Sequence, residues 1–325
     1  MIINDRIYGS FEIKEEILLE LLESGPVQRL KNIAQYGVPD EYYMFKNYSR
    51  YEHSVGVMLL VRRLGASVEE EVAGLLHDVS HTAFSHVVDW VLGSGEREDH
   101  QDKIHNQIFL KSTLPSILEK HGFDWKKISD YKNFALVEQP TPKLCADRID
   151  YALREFHDWA APGIVGECVD SFVVRDNRIV FSSKIAARKF ADAFMKCQRE
   201  HWGGAQAALR YTLLSSALKI AIEKNVVKMT DFSKDDGFVM KKIKKSNNVE
   251  IARCLGMLSS KNLIILENQK KPQYVLKKKF RFVDPDYVEG GKLFILSETD
   301  SDFRNFIETN RKINSEGLRL STGSF

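Results

Sequence analysis

Apolar residues recur at helical spacing through the first half of the chain, from Ile13 to Trp159, and this periodicity predicts a mainly α fold. Around His53 the pattern is sharpest: Gly56, Val57, Leu60, Val61 and Leu64 share a face with the histidine, so its ring is expected to point into the core. The stretches EEVAGLLHDVSHTAFSHVVDW, around His77 and Asp78, and KLCADRIDYALRE, around Asp147, set polar residues inside apolar helical patterns in the same way. The period then changes. SFVVRDNRIVFSS at 171–183 consists of two β-rich runs about Asp176 and Asn177, the signature of a hairpin. Helical spacing resumes from about Lys184 to Lys224, with Gly203 and Gly204 marking a bend.

After Asn225 the composition shifts toward lysine and short strands, with candidates at 263–266, 274–277, 280–283 and 292–296 and a helix at 301–312 before a polar tail. A boundary near residue 225 is expected, giving a helical domain over 1–225 and a smaller α+β appendage over 226–325 for assembly, pocket closure or regulation. No internal repeat or low-complexity tract interrupts either part.

With 325 residues and 43% apolar content, the chain can bury a sizeable core. A formal net charge of only +2 gives weak support to nucleic-acid binding through bulk electrostatics, so any anion site must be local. The four cysteines, Cys145, Cys168, Cys197 and Cys254, are far apart; neither a disulfide framework nor a zinc ribbon is expected, and a reducing cytoplasmic setting fits them. No apolar run approaches the roughly 18 residues needed to span a bilayer. Lysine-rich stretches at 241–245 and 277–281 are read as solvated faces, with a nucleic acid or a regulatory nucleotide as the alternative partner.

Candidate chemistry concentrates in three helical segments. His53, the pair His77-Asp78 and Asp147 supply two imidazoles and two carboxylates, enough to hold one catalytic metal, with His81 one turn further on. A lone histidine on an apolar face is commonly a hydrogen-bonded core residue. Burying Asp78 as well, without a partner, costs several kcal/mol, a penalty that a cation removes. The mixed nitrogen and oxygen set suits one divalent ion, Fe, Mn, Zn, Co, Ni or Mg. On the helix expected from about Leu144, Asp147, Asp150/Tyr151, Arg154/Glu155 and Asp158 fall on one stripe. Asp150 and Arg154 are read there as a solvated i,i+4 ion pair, and Tyr151 as a ring that packs or stacks on substrate. No GxxxxGK[ST] loop or dinucleotide fingerprint is present, so ATP- or NAD-dependent chemistry has no support.

The ordered set IYG (7–9), PVQRLKNIAQYG (26–37), SRYEHSVGV (49–57), HDVSHTAFSH (77–86) and DRIDYALRE (147–155) resembles the HD-domain metal-dependent phosphohydrolase superfamily, and within it the deoxynucleoside triphosphate triphosphohydrolase branch. A weaker likeness runs on to about Ile265. The resemblance implies an HD-type helical bundle over 1–225. It also implies that His53, His77, Asp78 and Asp147 ligate the metal and that Asp89 is a carboxylate orienting active-site groups. Arg50, His81, His86, Arg148 and Tyr151 fall where that branch contacts phosphates, and Gln35 and Glu155 near its sugar-recognition positions. Related enzymes are oligomeric, so a homo-oligomer is implied, with a nucleotide as substrate.

The departures are specific. Ser80 stands where the family reads His-Asp-x-Gly-His, which asks the turn to form without glycine's freedom at positive φ. The family's catalytic His-Glu pair has two counterparts, His100-Gln101 and His105-Asn106, both lacking the glutamate, and spacing favours His105. Arg199 is followed by EHWGGAQAAL, in which the branch's pocket histidine and tyrosine are not recovered. The expected function is hydrolysis of a (deoxy)nucleoside triphosphate by a metal-activated water. The alternatives are a phosphatase or phosphodiesterase acting on a nucleoside monophosphate or cyclic (di)nucleotide, and a nucleotide-binding regulator with little turnover.

Overall fold

The computed structural model describes residues 1–259, 265–267 and 270–322. The chain is mainly helical, with small sheets concentrated toward its C-terminal part. Two capped helices form the frame of the site. Ser49 Oγ accepts from Glu52 N at 3.1 Å and starts the helix Arg50–Arg63; Ser67 Oγ accepts from Glu70 N at 3.3 Å and starts Val68–Leu76. Each cap satisfies one of the amide donors that a helix start leaves unpaired. Val68–Leu76 ends at His77, so the HD pair falls at the helix end rather than within it. A third helix, Ala146–Glu155, packs across Arg50–Arg63 and carries Asp147.

The hairpin forms where the alternation predicts it. Phe172–Arg175 pairs antiparallel with Arg178–Phe181, and the linking residues Asp176 (φ 49°) and Asn177 (φ 57°) are both left-handed, the geometry a two-residue hairpin turn requires. Arg178–Phe181 also pairs in parallel with Asp286–Glu289 through Phe181 and Tyr287, and Asp286–Glu289 pairs antiparallel with Lys292–Ile295. A separate sheet orders Ile265–Glu267, Leu318–Thr322 and Tyr274–Leu276.

Of the expected C-terminal strands, 274–277 and 292–296 are found nearly in place. The one at 263–266 is described only from Ile265, its first two residues lying outside the described residues. The strand expected at 280–283 is absent: Arg281 N donates instead to Gln198 Oε1 at 3.1 Å, a side-chain partner that no ladder would supply. The Asp286–Glu289 strand was not anticipated, and the last helix runs from Ser301 to Glu316, a turn beyond its expected end.

Two apolar cores result. One joins the N-terminal helices, Arg50–Arg63, Ala146–Glu155 and the hairpin to Val283, Tyr287, Leu296, Phe303 and Ile307. The other joins Tyr36–Tyr48 and Ala83–Val88 to the Ala205–Glu223 helix and on to Leu258. Both draw on residues from either side of position 225. All four cysteines are free, and no helix among the described residues is long and apolar enough to cross a membrane.

Candidate active site

The rings of His53 and His77 meet at one point. His53 Nδ1 donates to Asp150 Oδ2 at 2.7 Å, and His77 Nδ1 donates to the Gly74 carbonyl at 2.7 Å. Each ring, when neutral, therefore turns an Nε2 lone pair inward. The two Nε2 atoms are 3.3 Å apart and face Asp147 Oδ1 at 2.9 Å and 3.6 Å. Two lone pairs and a carboxylate oxygen in that space repel one another unless a cation joins them. Without a metal a proton serves: burial alone would lower the His53 pKa, but the bonds to Asp147 and Asp150 raise it to about 9. The donor set thus fits a divalent metal held by His53, His77 and Asp147. Asp78 stands at its edge, 3.5 Å from His77 Nε2 and 3.8 Å from His53 Nε2.

Behind His53 lies a buried charge network that the sequence reading placed in solvent. Asp150 and Arg154 are both fully buried. Arg154 Nε donates to Asp150 Oδ2 at 2.9 Å, and its other nitrogens reach Glu52 Oε1 at 2.7 Å and Asp5 Oδ2 at 2.8 Å. The ion pair exists, but its role is to fix the histidine. Gly56 makes room for it: a Cβ there would sit 2.0 Å from Asp150 Oδ1 and 2.2 Å from an Arg154 nitrogen. The amphipathic pattern cannot show this, because the partner that buries Asp150 lies on another helix.

Asp78 is held by two groups, Arg50 at 2.7 Å and His81 Nε2 at 3.2 Å. Burial pushes its carboxyl up, and Arg50, followed by His81 and His77, outweighs that and holds it well below the carboxylate range. Burial and Arg50 together lower the His81 pKa to about 3, so this ring is neutral. Arg50 Nε also donates to Ser85 Oγ at 3.0 Å. Ser80 does not need a glycine's conformation: the left-handed residues of this turn are Phe84 (φ 64°) and Ser85 (φ 45°). Ser80 Oγ pairs with His105 Nδ1 at 2.9 Å. Asp89 Oδ2 accepts from His86 Nδ1 at 3.4 Å, and its Oδ1 from His100 N at 3.0 Å.

A cavity of about 220 Å³ opens on this cluster. His77, Asp78, Asp147, Gln35, Arg50, His81, His86, Arg148, Tyr151 and Glu155 line it. His53 lies deeper, Asp89 meets the lining only through its bond to His86, and His100 and His105 stand outside the lining, to which Gln101 contributes. Gln101 Nε2 donates to the His77 carbonyl at 3.0 Å. Arg148 Nη1 donates to Cys145 Sγ at 3.1 Å and its other arm to Glu138 Oε1 at 3.4 Å, so the neighbouring group of Glu138, Cys145 and Asp147 already has its cation.

The far end of the cavity contains residues that sequence reasoning missed. Tyr36, Tyr43 and Tyr48 line it with His201, Trp202 and Tyr211. His201, two residues after Arg199, lies within a π-helical turn, Gln198–Trp202, a distortion that is common at functional sites. Its Nδ1 donates to Glu155 Oε1 at 2.8 Å, and its Nε2 pairs with the Tyr43 hydroxyl at 2.5 Å. Trp202 Nε1 donates to Glu155 Oε1 at 2.9 Å and Trp159 Nε1 to Oε2 at 2.5 Å, so Glu155 has no oxygen without a donor. By contrast, Gln35 Oε1 and the Tyr36 hydroxyl are buried without a hydrogen-bond partner among the described residues. The 277–281 lysine run is also corrected: Lys278 is buried and Lys278, Lys279 and Arg281 line the cavity, with Arg281 paired to the buried Glu98. The only available signal was the alternation of these cations with Phe280 and Phe282.

Residues 50–154 match the family model of the HD domain. Uncharacterized protein YdhJ of Bacillus subtilis is 39% identical over 288 residues, 88% of each chain. Metal-dependent phosphohydrolase cns2 of Cordyceps militaris is 48% identical over 157 residues, and this chain spans 45% of its length. Deoxynucleoside triphosphate triphosphohydrolase SAMHD1 homolog of Dictyostelium discoideum is 32% identical over 149 residues, 40% of this chain and 28% of that one. A hypothetical protein from Aquifex aeolicus shares the fold, with a TM-score of 0.69 at 19% identity, covering 94% of this chain and 93% of that one. With its histidines and carboxylates converging at the end of the Val68–Leu76 helix, the chain belongs to the HD-domain metal-dependent phosphohydrolase superfamily.

Proposed function

We propose that the chain hydrolyses a nucleotide, in the first place a (deoxy)nucleoside triphosphate, with His53, His77, Asp78 and Asp147 holding one divalent metal. The observation that carries this reading is the continuity of one cavity from the His77–Asp147 cluster to an aromatic end of four tyrosines and Trp202, with Arg50, Arg148 and Arg281 along its walls. Phosphates need cations and a base needs ring faces. The relative named a deoxynucleoside triphosphate triphosphohydrolase adds support over the part of its length that matches.

A divalent ion, when bound, polarises a phosphoryl oxygen and lowers the pKa of water. The chain's own groups do the rest. Asp150 fixes the His53 ring through Nδ1, and Gly74 fixes His77 in the same way. Arg50, locked between Asp78 and Ser85, is a preorganised positive charge for developing phosphoryl oxygens. Asp89 accepts from His86 Nδ1, so that the ring in its imidazolium form can give its Nε2 proton to the leaving oxygen and stay oriented afterwards.

A phosphatase or phosphodiesterase acting on a nucleoside monophosphate or cyclic dinucleotide is the second reading. It stays open because Glu155, which already accepts from His201, Trp202 and Trp159, gives no support to the sugar contact that the triphosphohydrolase branch implies. A product screen separates the two. Protein purified without chelator is supplied in turn with Mn, Fe, Co, Ni and Mg and offered the common nucleotides. Inorganic triphosphate with free nucleoside establishes the first reading, and single phosphate release or diester opening the second. No turnover with any metal rejects both in favour of a nucleotide-binding regulator.

A further inference from the structure

The chain from Lys278 to Phe282 crosses the cavity as an anchored strap. The Lys278 carbonyl accepts from Asn314 Nδ2 at 3.0 Å, Asn314 Oδ1 accepts from Gln198 Nε2 at 3.3 Å, and Gln198 Oε1 accepts from Arg281 N at 3.1 Å. Phe280 and Phe282 stack with ring centroids 5.5 Å apart, and the Arg311 guanidinium lies 4.4 Å from the Phe282 centroid. Arg281 is bound to Glu98, a buried residue held at φ 53°. A non-glycine residue persists in that conformation only where its surroundings impose it.

Lys278 is the anomaly. Its side chain is only 4% exposed, yet among the described residues no acceptor takes a hydrogen bond from its ammonium. The nearest carboxylate, Glu98, is 4.0 Å away, and the Tyr211 ring centroid lies 3.6 Å from Nζ. Three N–H donors left with one distant charge and an aromatic face are under-satisfied for a buried cation. Burial accordingly lowers its pKa to about 8.

We propose that Lys278, with Arg281 beside it, is a second phosphate subsite, taking those phosphates of a polyphosphate substrate that lie away from the His53, His77 and Asp147 cluster. Glu98 is a positioning residue that presents Arg281. The identity of the substrate rests on the nucleotide reading above; the affinity of the strap for polyphosphate does not.

The test measures inorganic tripolyphosphate binding by calorimetry, with Mg²⁺ in excess so that the probe does not strip the protein's metal. Lys278→Met, which removes the ammonium over Tyr211 and keeps an unbranched side chain, is compared with wild type and with the surface variant Lys241→Met. Wild type and Lys241→Met are expected to bind alike, and Lys278→Met at least about tenfold more weakly with unchanged metal content. Equal binding by Lys278→Met, or no binding by wild type, overturns the proposal. If Lys278→Met does not fold, acylation of Lys278 in wild type is followed by mass spectrometry. Tripolyphosphate should slow it while leaving Lys241 unaffected, and absence of protection overturns the proposal. Binding that depends on Lys278 in a protein that hydrolyses no nucleotide would overturn the substrate reading and leave the strap subsite standing.

Discussion

At the His53 end of the cavity, the charged groups form a closed chain of partners: His53 is met by Asp150, Asp150 by Arg154, and Arg154 by Glu52 and Asp5. At the strap end, the Lys278 ammonium has its nearest carboxylate 4.0 Å away, the Tyr36 hydroxyl has no hydrogen-bond partner among the described residues, and the wall is assembled from Tyr36–Tyr48, Gln198–Trp202 and 278–282, far apart in sequence. The first end is complete in itself except for a cation. The second is incomplete in a way that an anionic, partly aromatic ligand would complete. A hydrolase with this division keeps its chemistry on rigid helices and its choice of substrate on segments that meet only after folding.

The comparison can be broken first at the ligand end. His77→Ala should remove metal and turnover together while the helical circular dichroism survives; activity retained in metal-free protein would show that the cluster is not the reaction centre. Gly56→Ala drives a methyl group into Asp150 and Arg154 and should cost about 4 kcal/mol in denaturant unfolding, combining overpacking with a disrupted buried ion pair. A loss within 1 kcal/mol (roughly that of an ordinary substitution) would mean that the network yields easily.

At the strap end, burial raises the Glu98 pKa but Arg281, His86 and Lys278 outweigh it, leaving the group at about 2 against an ordinary 4.5. A depressed carboxylate contributes stability that is present above the ordinary value and is lost as pH falls through the folded one. Glu98→Gln should therefore be less stable by about 3 kcal/mol at pH 7, with the gap to wild type closing between about pH 4.5 and pH 2. A pH-independent gap in melting temperature would assign the loss to packing. Finally, Asp150→Asn sharpens the contrast: by unfixing the His53 ring it should weaken metal binding about 10- to 100-fold, while tripolyphosphate binding at the strap stays the same.

What could be read from the chain follows the same division. His53, His77 and Asp147 stand out because each interrupts an apolar helical face. The hairpin at Asp176 and Asn177 was legible because those residue types tolerate the left-handed backbone its turn needs. Asp150 and Arg154 were misread because spacing along one helix carries no information about Gly56 on the next. Lys278 and Arg281 resembled a solvated run, since nothing near them in sequence reveals Glu98, Gln198 or Asn314. His201 was passed over because its partners, Glu155 and Tyr43, lie far from it in sequence. The 280–283 segment has the composition of a strand but finds side-chain partners instead of a ladder.

The pairing of Phe181 with Tyr287 ties the strap to the hairpin that follows the catalytic helices, while Tyr274–Leu276 anchors its other side to Leu318–Thr322. The cations between these two fixed points are thus set by chain length. Lengthening or shortening 277–285 by a single residue would present a different side chain to the cavity without touching a metal ligand. On the proposed reading, this short connection is the place where the grip on phosphate can be retuned without touching the metal-ligand cluster.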